Sequence, residues 1–254
     1  MAGSVNFVWN YCNEVSFSSI FNKSKWLSEY DLINLTVGCS KELGISAVTI
    51  QSVCSEYTIR RIKARKTKLS WRSRKRSLGW IPFKSNAINV NNDSIKYSGH
   101  IFRFWKSRDI IGKVKTGNFS QDARGRWYVN IQCEIEKQEL PKTGNQIGID
   151  LGLKTIASDS NGVKHERENL TKKYEDKLAM AQRSGKKRLV TTLHAKIKNK
   201  RKDWAHKTTT EIVKNNDVIF VGNVSPSKLS KTKMAKSVSD AGWGQLKSLL
   251  AYKA

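Results

Sequence analysis

Apolar positions recur at two different spacings along this chain, and the change from one to the other divides it. Between residues 30 and 43, Leu32, Leu35 and Cys39 fall three or four apart, and from 47 to 64 a narrow face of Val48, Ser52, Ser55 and Ile59 repeats in the same way. Both spacings predict helices, with Gly44 ending the first. The opening stretch, Ser-rich from Ser16 to Ser24, reads as irregular. Past Gly79 the period shortens toward two, and strands are predicted over 87–90, 94–97, 100–104, 110–115 and 127–135. Turn signals separate them at Asn91-Asn92-Asp93, Ser98-Gly99, Gly117-Asn118 and Ala123-Arg124-Gly125.

A Pro-Lys-Thr-Gly-Asn linker at 141–145 opens a third pattern. Residues 146–163 read as strand, tight turn and strand, with Asn161-Gly162 as a further turn signal. Residues 170–215 read as helix, with Leu189, Leu193, Ile197 and Trp204 on one stripe. A buried strand follows over 217–222, and a final helix near 241–252 carries Trp243, Leu246, Leu249 and Leu250. The predicted organisation is therefore a helical segment at 1–77, a small antiparallel β-sheet or barrel at 78–140, and a mixed α/β unit at 141–254. Trp80, Phe104 and Trp105 in the β-rich segment are expected in the core first and as stacking residues second.

Charge changes this picture from fold to partner. The 254 residues hold 47 Lys plus Arg against 21 Asp plus Glu, a net charge of +26. Solubility needs a net charge of only about 2–8 for a small domain, so a polyanion is the expected partner. Ten of the seventeen residues from 60 to 76 are basic and none is acidic. That run holds Arg60, Arg61, Lys63, Arg65, Lys66, Lys68, Arg72, Arg74, Lys75 and Arg76, with Trp71 among them as a stacking platform. Between 172 and 207 thirteen basic residues meet three acids, and Lys196, Lys200, Arg201 and Lys202 are the expected contacts there.

With 38% hydrophobic residues the chain can form a true core. It has no apolar run long enough to span a membrane and no signal-peptide pattern, so a cytoplasmic, nucleoid-associated protein is expected, with no membrane partner. The four cysteines, Cys12, Cys39, Cys54 and Cys133, show neither CxxC pairing nor metal-ligand spacing, so reduced thiols and no zinc site are expected. His100, His165, His194 and His206 form no catalytic pattern, and no nucleophile elbow or phosphate loop is present.

One acid stands out. Asp150 interrupts an apolar strand between Gly148 and Gly152, a costly place for a carboxylate unless a cation meets it. A divalent cation suits it, as does a pairing with Lys154 or a turn amide.

The string Gly148-Ile-Asp-Leu-Gly-Leu-Lys-Thr155, with Arg201-Lys-Asp-Trp-Ala-His-Lys-Thr208 and Asp217-Val-Ile-Phe-Val, resembles the RuvC-type segment of the TnpB (OrfB) family, insertion-sequence-encoded proteins related to type V CRISPR effectors. The resemblance covers about residues 145–254 and is specific; the order of the upstream segments fits the family's recognition and wedge regions without diagnostic motifs. It implies an RNase H-like fold and RNA-guided DNA cleavage by three acids around magnesium. Asp150 corresponds to the first acid, catalytic and metal-binding, and Gly222 stands where the second, a Glu, is expected. The third follows a zinc element, and both would fall past Ala254.

Val5-Asn-Phe-Val-Trp-Asn-Tyr likewise resembles a stretch that lies further into family members, so an incomplete RuvC-type domain in a chain shortened at both ends is expected. Guide RNA and DNA are the implied partners, with a partner transposase of the same element as a further one. One acid is too few for a two-metal centre, so a binding protein deficient in cleavage is expected. The alternative is an active magnesium-dependent endonuclease with relocated ligands, Asp217 or Asp240, or with acids supplied from outside the chain.

Overall fold

A computed structural model describes residues 1–136 and 141–254, which fall into two units, Met1–Lys137 and Gln138–Ala254. The first begins with α1 (Ala2–Lys23), α2 (Glu29–Leu35), α3 (Ser40–Leu43) and α4 (Ala47–Ala64). The opening stretch is thus helical, not irregular. Its buried stripe of Val5, Val8, Trp9, Cys12 and Ser16 has helical spacing, but Asn6, Asn13 and Ser16 share that face and blur the apolar signal. α1 ends at Ser24 in the left-handed conformation, φ 49°. Ser28 and Asp31 close a reciprocal capping box on α2, so the helix expected over 30–43 starts there and is broken before α3.

Six strands follow: β1 (Trp80–Lys84), β2 (Ile88–Val90), β3 (Ser94–Tyr97), β4 (His100–Arg103), β5 (Lys113–Gln121) and β6 (Trp127–Glu134). They make two antiparallel three-stranded sheets, ordered β1-β5-β6 and β2-β3-β4. β1 has no counterpart in the sequence reading, because Pro82 at its centre argues against a strand. β5 runs through Gly117-Asn118, which was expected to turn. A Cβ on Gly117 would lie 2.2 Å from the Asn130 carbonyl oxygen and 2.5 Å from the Phe83 ring. That glycine marks a close approach inside a sheet.

The helices and both sheets share one core. Val8, Trp9, Tyr57, Phe83, Tyr97 and Phe119 belong to a single buried cluster, and the Thr49 hydroxyl on α4 meets Pro82 O at 2.9 Å and Tyr97 Oη at 2.5 Å. The boundary expected between residues 77 and 78 therefore runs through continuous packing. Cys12 and Cys54, distant in sequence, lie with sulfurs 3.7 Å apart as free thiols.

The second unit contains β7 (Gln146–Leu151), β8 (Ala157–Asp159), β9 (Lys164–His165), α5 (Leu170–Arg183), α6 (Lys187–Asn215), β10 (Val218–Val221), α7 (Pro226–Leu229), α8 (Ala235–Ala241) and α9 (Trp243–Lys253). Gly185, at φ 64°, divides the single helix expected over 170–215. The sheet order is β10-β7-β8-β9; β7, β8 and β9 are antiparallel, and β10 joins β7 in parallel after the helical crossover. Ile147, Ile149 and Leu151 face a core shared with Ala205 and Ile212 of α6 and Trp243, Leu246 and Leu250 of α9. Alternation leaves Gly148 and Asp150 on the other face, beside Phe220, which is 61% exposed.

Candidate functional site

Asp150 sits one residue before the end of β7, opposite Ser158 on β8 and next to the end of β10. It is exposed, so the burial cost expected from sequence does not arise: the strand is apolar on one face only. No pairing with Lys154 or a turn amide is present, and the Asp150 carboxylate enters no hydrogen bond or ion pair among the described residues. Gly222 is its neighbour. The Gly222 N–H donates to Ile149 O at 2.9 Å, and a Cβ on Gly222 would lie 3.5 Å from Asp150 Oδ1. A side chain at position 222 would therefore project onto the same carboxylate.

No cluster of three or more His, Cys, Asp or Glu side chains able to hold a metal occurs among the described residues. A magnesium centre does not fit the donors present at Asp150. The two acids considered as relocated ligands are occupied elsewhere. Asp217 accepts from Thr143 N at 2.9 Å, Gly144 N at 2.7 Å and the Thr143 hydroxyl at 2.9 Å, tying the entry of β7 to that of β10. The Thr143 and Gly144 amides hold its carboxyl below the usual aspartate value.

Asp240 is buried in α8. It accepts the Thr171 hydroxyl at 2.5 Å, pairs with Arg201, and lies 3.6 Å from the Arg167 guanidinium. Burial pushes its carboxyl up, and Thr171, Arg201 and Arg167 together outweigh that, leaving it below its ordinary value. Arg167 in turn lies over the Trp204 ring, whose Nε1 donates to Glu166 O at 3.0 Å. The conspicuous Arg201-Lys-Asp-Trp204 string thus knits α6 to α8 and to the start of α5. Arg201, expected on nucleic acid, spends its guanidinium on this network. Lys196 and Lys200 flank Tyr174; burial raises that phenol and the two lysines more than offset it, so it lies below its ordinary value. Lys196, Lys200 and Lys202 are exposed.

The 60–76 run is not one continuous track. Arg61 is only 3% exposed, donates to Leu27 O at 2.6 Å and lies over Trp26 and Tyr57. Arg72 is half-buried over Trp9 and Trp80 and donates to Asn6 Oδ1 at 2.9 Å. These two arginines turn inward, because a planar guanidinium packs on aromatic faces without losing its donors. Arg60 pairs with Glu56 and Lys68 with Glu14, both at the surface. Lys63, Arg65, Lys66, Arg74, Lys75 and Arg76 remain exposed with no acidic partner among the described residues, and Trp71 is 58% exposed beside them.

A ladder of asparagines on α1 holds this strap. Asn13 exchanges two 2.8 Å hydrogen bonds with the Leu69 backbone, and Asn10 exchanges two more with Arg72. Sequence reasoning missed these residues. Their only signal is polar side chains three apart on a helix face that is otherwise apolar.

Residues 130–233 match a family described as "Probable transposase", OrfB of the IS605 type. A "Putative RNA-guided DNA endonuclease" of Streptomyces pristinaespiralis is 27% identical over 91% of this chain and 60% of its own length. The "Putative RNA-guided DNA endonuclease InsQ" of Escherichia coli K12 is 31% identical over 59% of this chain and 44% of its own length. The alignments thus span less than two thirds of either relative.

Proposed function

The chain belongs to the TnpB (OrfB) family, and from that premise we propose that it is a transposon-encoded protein that binds guide RNA and DNA and does not cleave DNA by itself. Both relatives are named as RNA-guided DNA endonucleases, which supports RNA and DNA as ligands. The exposed cations Lys63, Arg65, Lys66, Arg74, Lys75 and Arg76, with Lys196, Lys200 and Lys202, supply phosphate contacts that position a polyanion without reading bases. In such a system base pairing carries sequence recognition and the protein reads backbone and shape. The parallel addition of β10 to the antiparallel β7-β8-β9 run, with α5 and α6 in the crossover, supports a RuvC-type sheet.

The observation that carries the lack of cleavage is Gly222. Two ions about 4 Å apart need several carboxylates, and the position best placed to share an ion with Asp150 has no side chain. The exposed, unpaired carboxylate of Asp150 favours a second reading, an endonuclease completed by acids from outside these residues.

Purification of the chain from cells carrying its flanking DNA, with sequencing of the bound RNA, tests the proposal. One defined RNA species, and no magnesium-dependent DNA product, is the expected result. Heterogeneous RNA or none overturns the guide-binding reading. A product that disappears in Asp150→Ala establishes the second reading instead.

A further inference from the structure

A groove of about 610 Å³ lies along the free edge of β6, closed on its other side by residues 104–111. Its lining includes Trp105, Arg108, Asp109, Ile111, Tyr128 and Asn130. Trp105 is 93% exposed, contrary to the core position expected for it, and its ring stacks on no other aromatic among the described residues. An indole held in water gains nothing from burial or from a ring partner. Tyr128, also exposed, is held in place: its hydroxyl donates to Asp122 at 3.2 Å and accepts from Arg124 at 3.0 Å.

We propose that this groove receives an unpaired nucleobase of RNA or single-stranded DNA, stacked on Trp105 and walled by Tyr128 and Ile111. The inference rests on nucleic acid being the ligand of this chain and adds a site outside the basic stretches. Four features favour a base over a peptide side chain. The groove combines two aromatic faces with apolar walls, the combination that accepts any base by stacking. Its charge suits a phosphate, since Asp109, the acid in its described lining, is tied to Lys106 at 2.6 Å while Arg108 has no acidic partner among the described residues. The volume exceeds what one base occupies, leaving room for the attached sugar. Asn130, bonded to Asn118 and Ser120, sits at the groove with its own amide oxygen still able to accept from a base edge.

Fluorescence anisotropy of the full chain with a short unpaired RNA, the same sequence as single-stranded DNA, and its duplex, each over a salt series, tests the assignment. Trp105→Ala is expected to weaken unpaired binding about 5- to 150-fold, the equivalent of one lost stacking contact. The slope of log K against log salt should not change, because no phosphate contact is removed. Duplex binding should be unaffected, and Trp105→Phe should retain most of the affinity. The unpaired strand that suffers the loss, RNA or DNA, identifies the source of the base.

Affinity within about twofold of the unsubstituted chain for both strands overturns the inference, as does an equal loss on duplex or a shallower slope. Those outcomes leave the functional proposal standing if the unsubstituted chain binds. Failure of the unsubstituted chain to bind any of the three sinks both. Trp105 is exposed and unpacked, so its loss by itself should not unfold the chain; coincident thermal melts check this.

Discussion

At the scale of single residues, position 222 and Asp240 carry opposite lessons. Gly222 does not require a positive φ, and a Cβ there would meet Asp150 Oδ1 and the Ile149 carbonyl oxygen at 3.5 Å, an ordinary contact distance. Gly222→Glu is expected to create a weak divalent-cation site with Asp150, seen as Mn²⁺-induced broadening of nearby resonances that vanishes in the added presence of Asp150→Ala. Equal broadening in the unsubstituted chain would show that Asp150 already has the donors it needs. Asp240 holds two arginines in a buried network, and removing its charge leaves both without a counter-ion. Asp240→Asn should cost about 3–5 kcal/mol in urea unfolding at neutral pH. Its carboxyl is held below the ordinary value, so its contribution is complete above the unfolded aspartate value of about 3.9 and is lost as pH falls through the lowered one. The gap in stability between the unsubstituted chain and Asp240→Asn should therefore narrow toward acid. A gap that stays constant with pH would contradict a charged Asp240.

At the scale of elements, the strap between α4 and β1 is held by side chains where a sheet would use backbone. Asn10 and Asn13 each accept one strap N–H and donate to one strap carbonyl, as an adjacent strand would. Each such bond contributes about 0.5–1.5 kcal/mol. Replacing both asparagines by Ala should free the amides of Leu69 and Arg72 to exchange quickly in hydrogen-exchange mass spectrometry, while the amides of α4 remain protected. Unchanged exchange across residues 66–78 would mean that the inward-packed Arg72 holds the strap unaided. The strap illustrates why the run of cations was only partly readable from sequence. Its charge is plain, but which guanidinium reaches solvent depends on where Trp9, Trp26 and Trp80 lie, and these come from three different segments.

At the scale of the whole molecule, a net charge of +26 makes attraction to polyanions the dominant long-range electrostatic force. Only cations that reach a phosphate contribute to its salt dependence. The triple change of Arg74, Lys75 and Arg76 to Ala should lower the magnitude of the log K against log salt slope for single-stranded RNA by about 2. Arg61→Ala should leave that slope unchanged and reduce stability instead. An Arg61→Ala slope change as large as that of a single exposed cation would contradict its internal placement. Among the described residues no helix is long and apolar enough to cross a membrane.

Much of this was legible in the sequence. Local spacing located α4, β3 and the strand that carries Asp150, because neighbours along the chain set helix and strand spacing, but α4 buries Ile50, Val53, Cys54 and Tyr57 and leaves Ile59, on the face read from sequence, 54% exposed. The motif around Asp150 pointed to the family, and the absent acid at 222 was visible in the string itself. Other features needed the fold. Gly117 reads as a turn until Phe83 and Asn130 are seen pressed against it, and α1 reads as irregular until its asparagines are found bonded to a strap about 60 residues away. The inward turn of Arg61, Arg72 and Arg201, the exposure of Asp150 and the open groove at Trp105 were likewise decided by tertiary structure. Burial and hydrogen-bond partnership arise from contacts between distant residues, whereas composition and spacing report only what each segment offers to them.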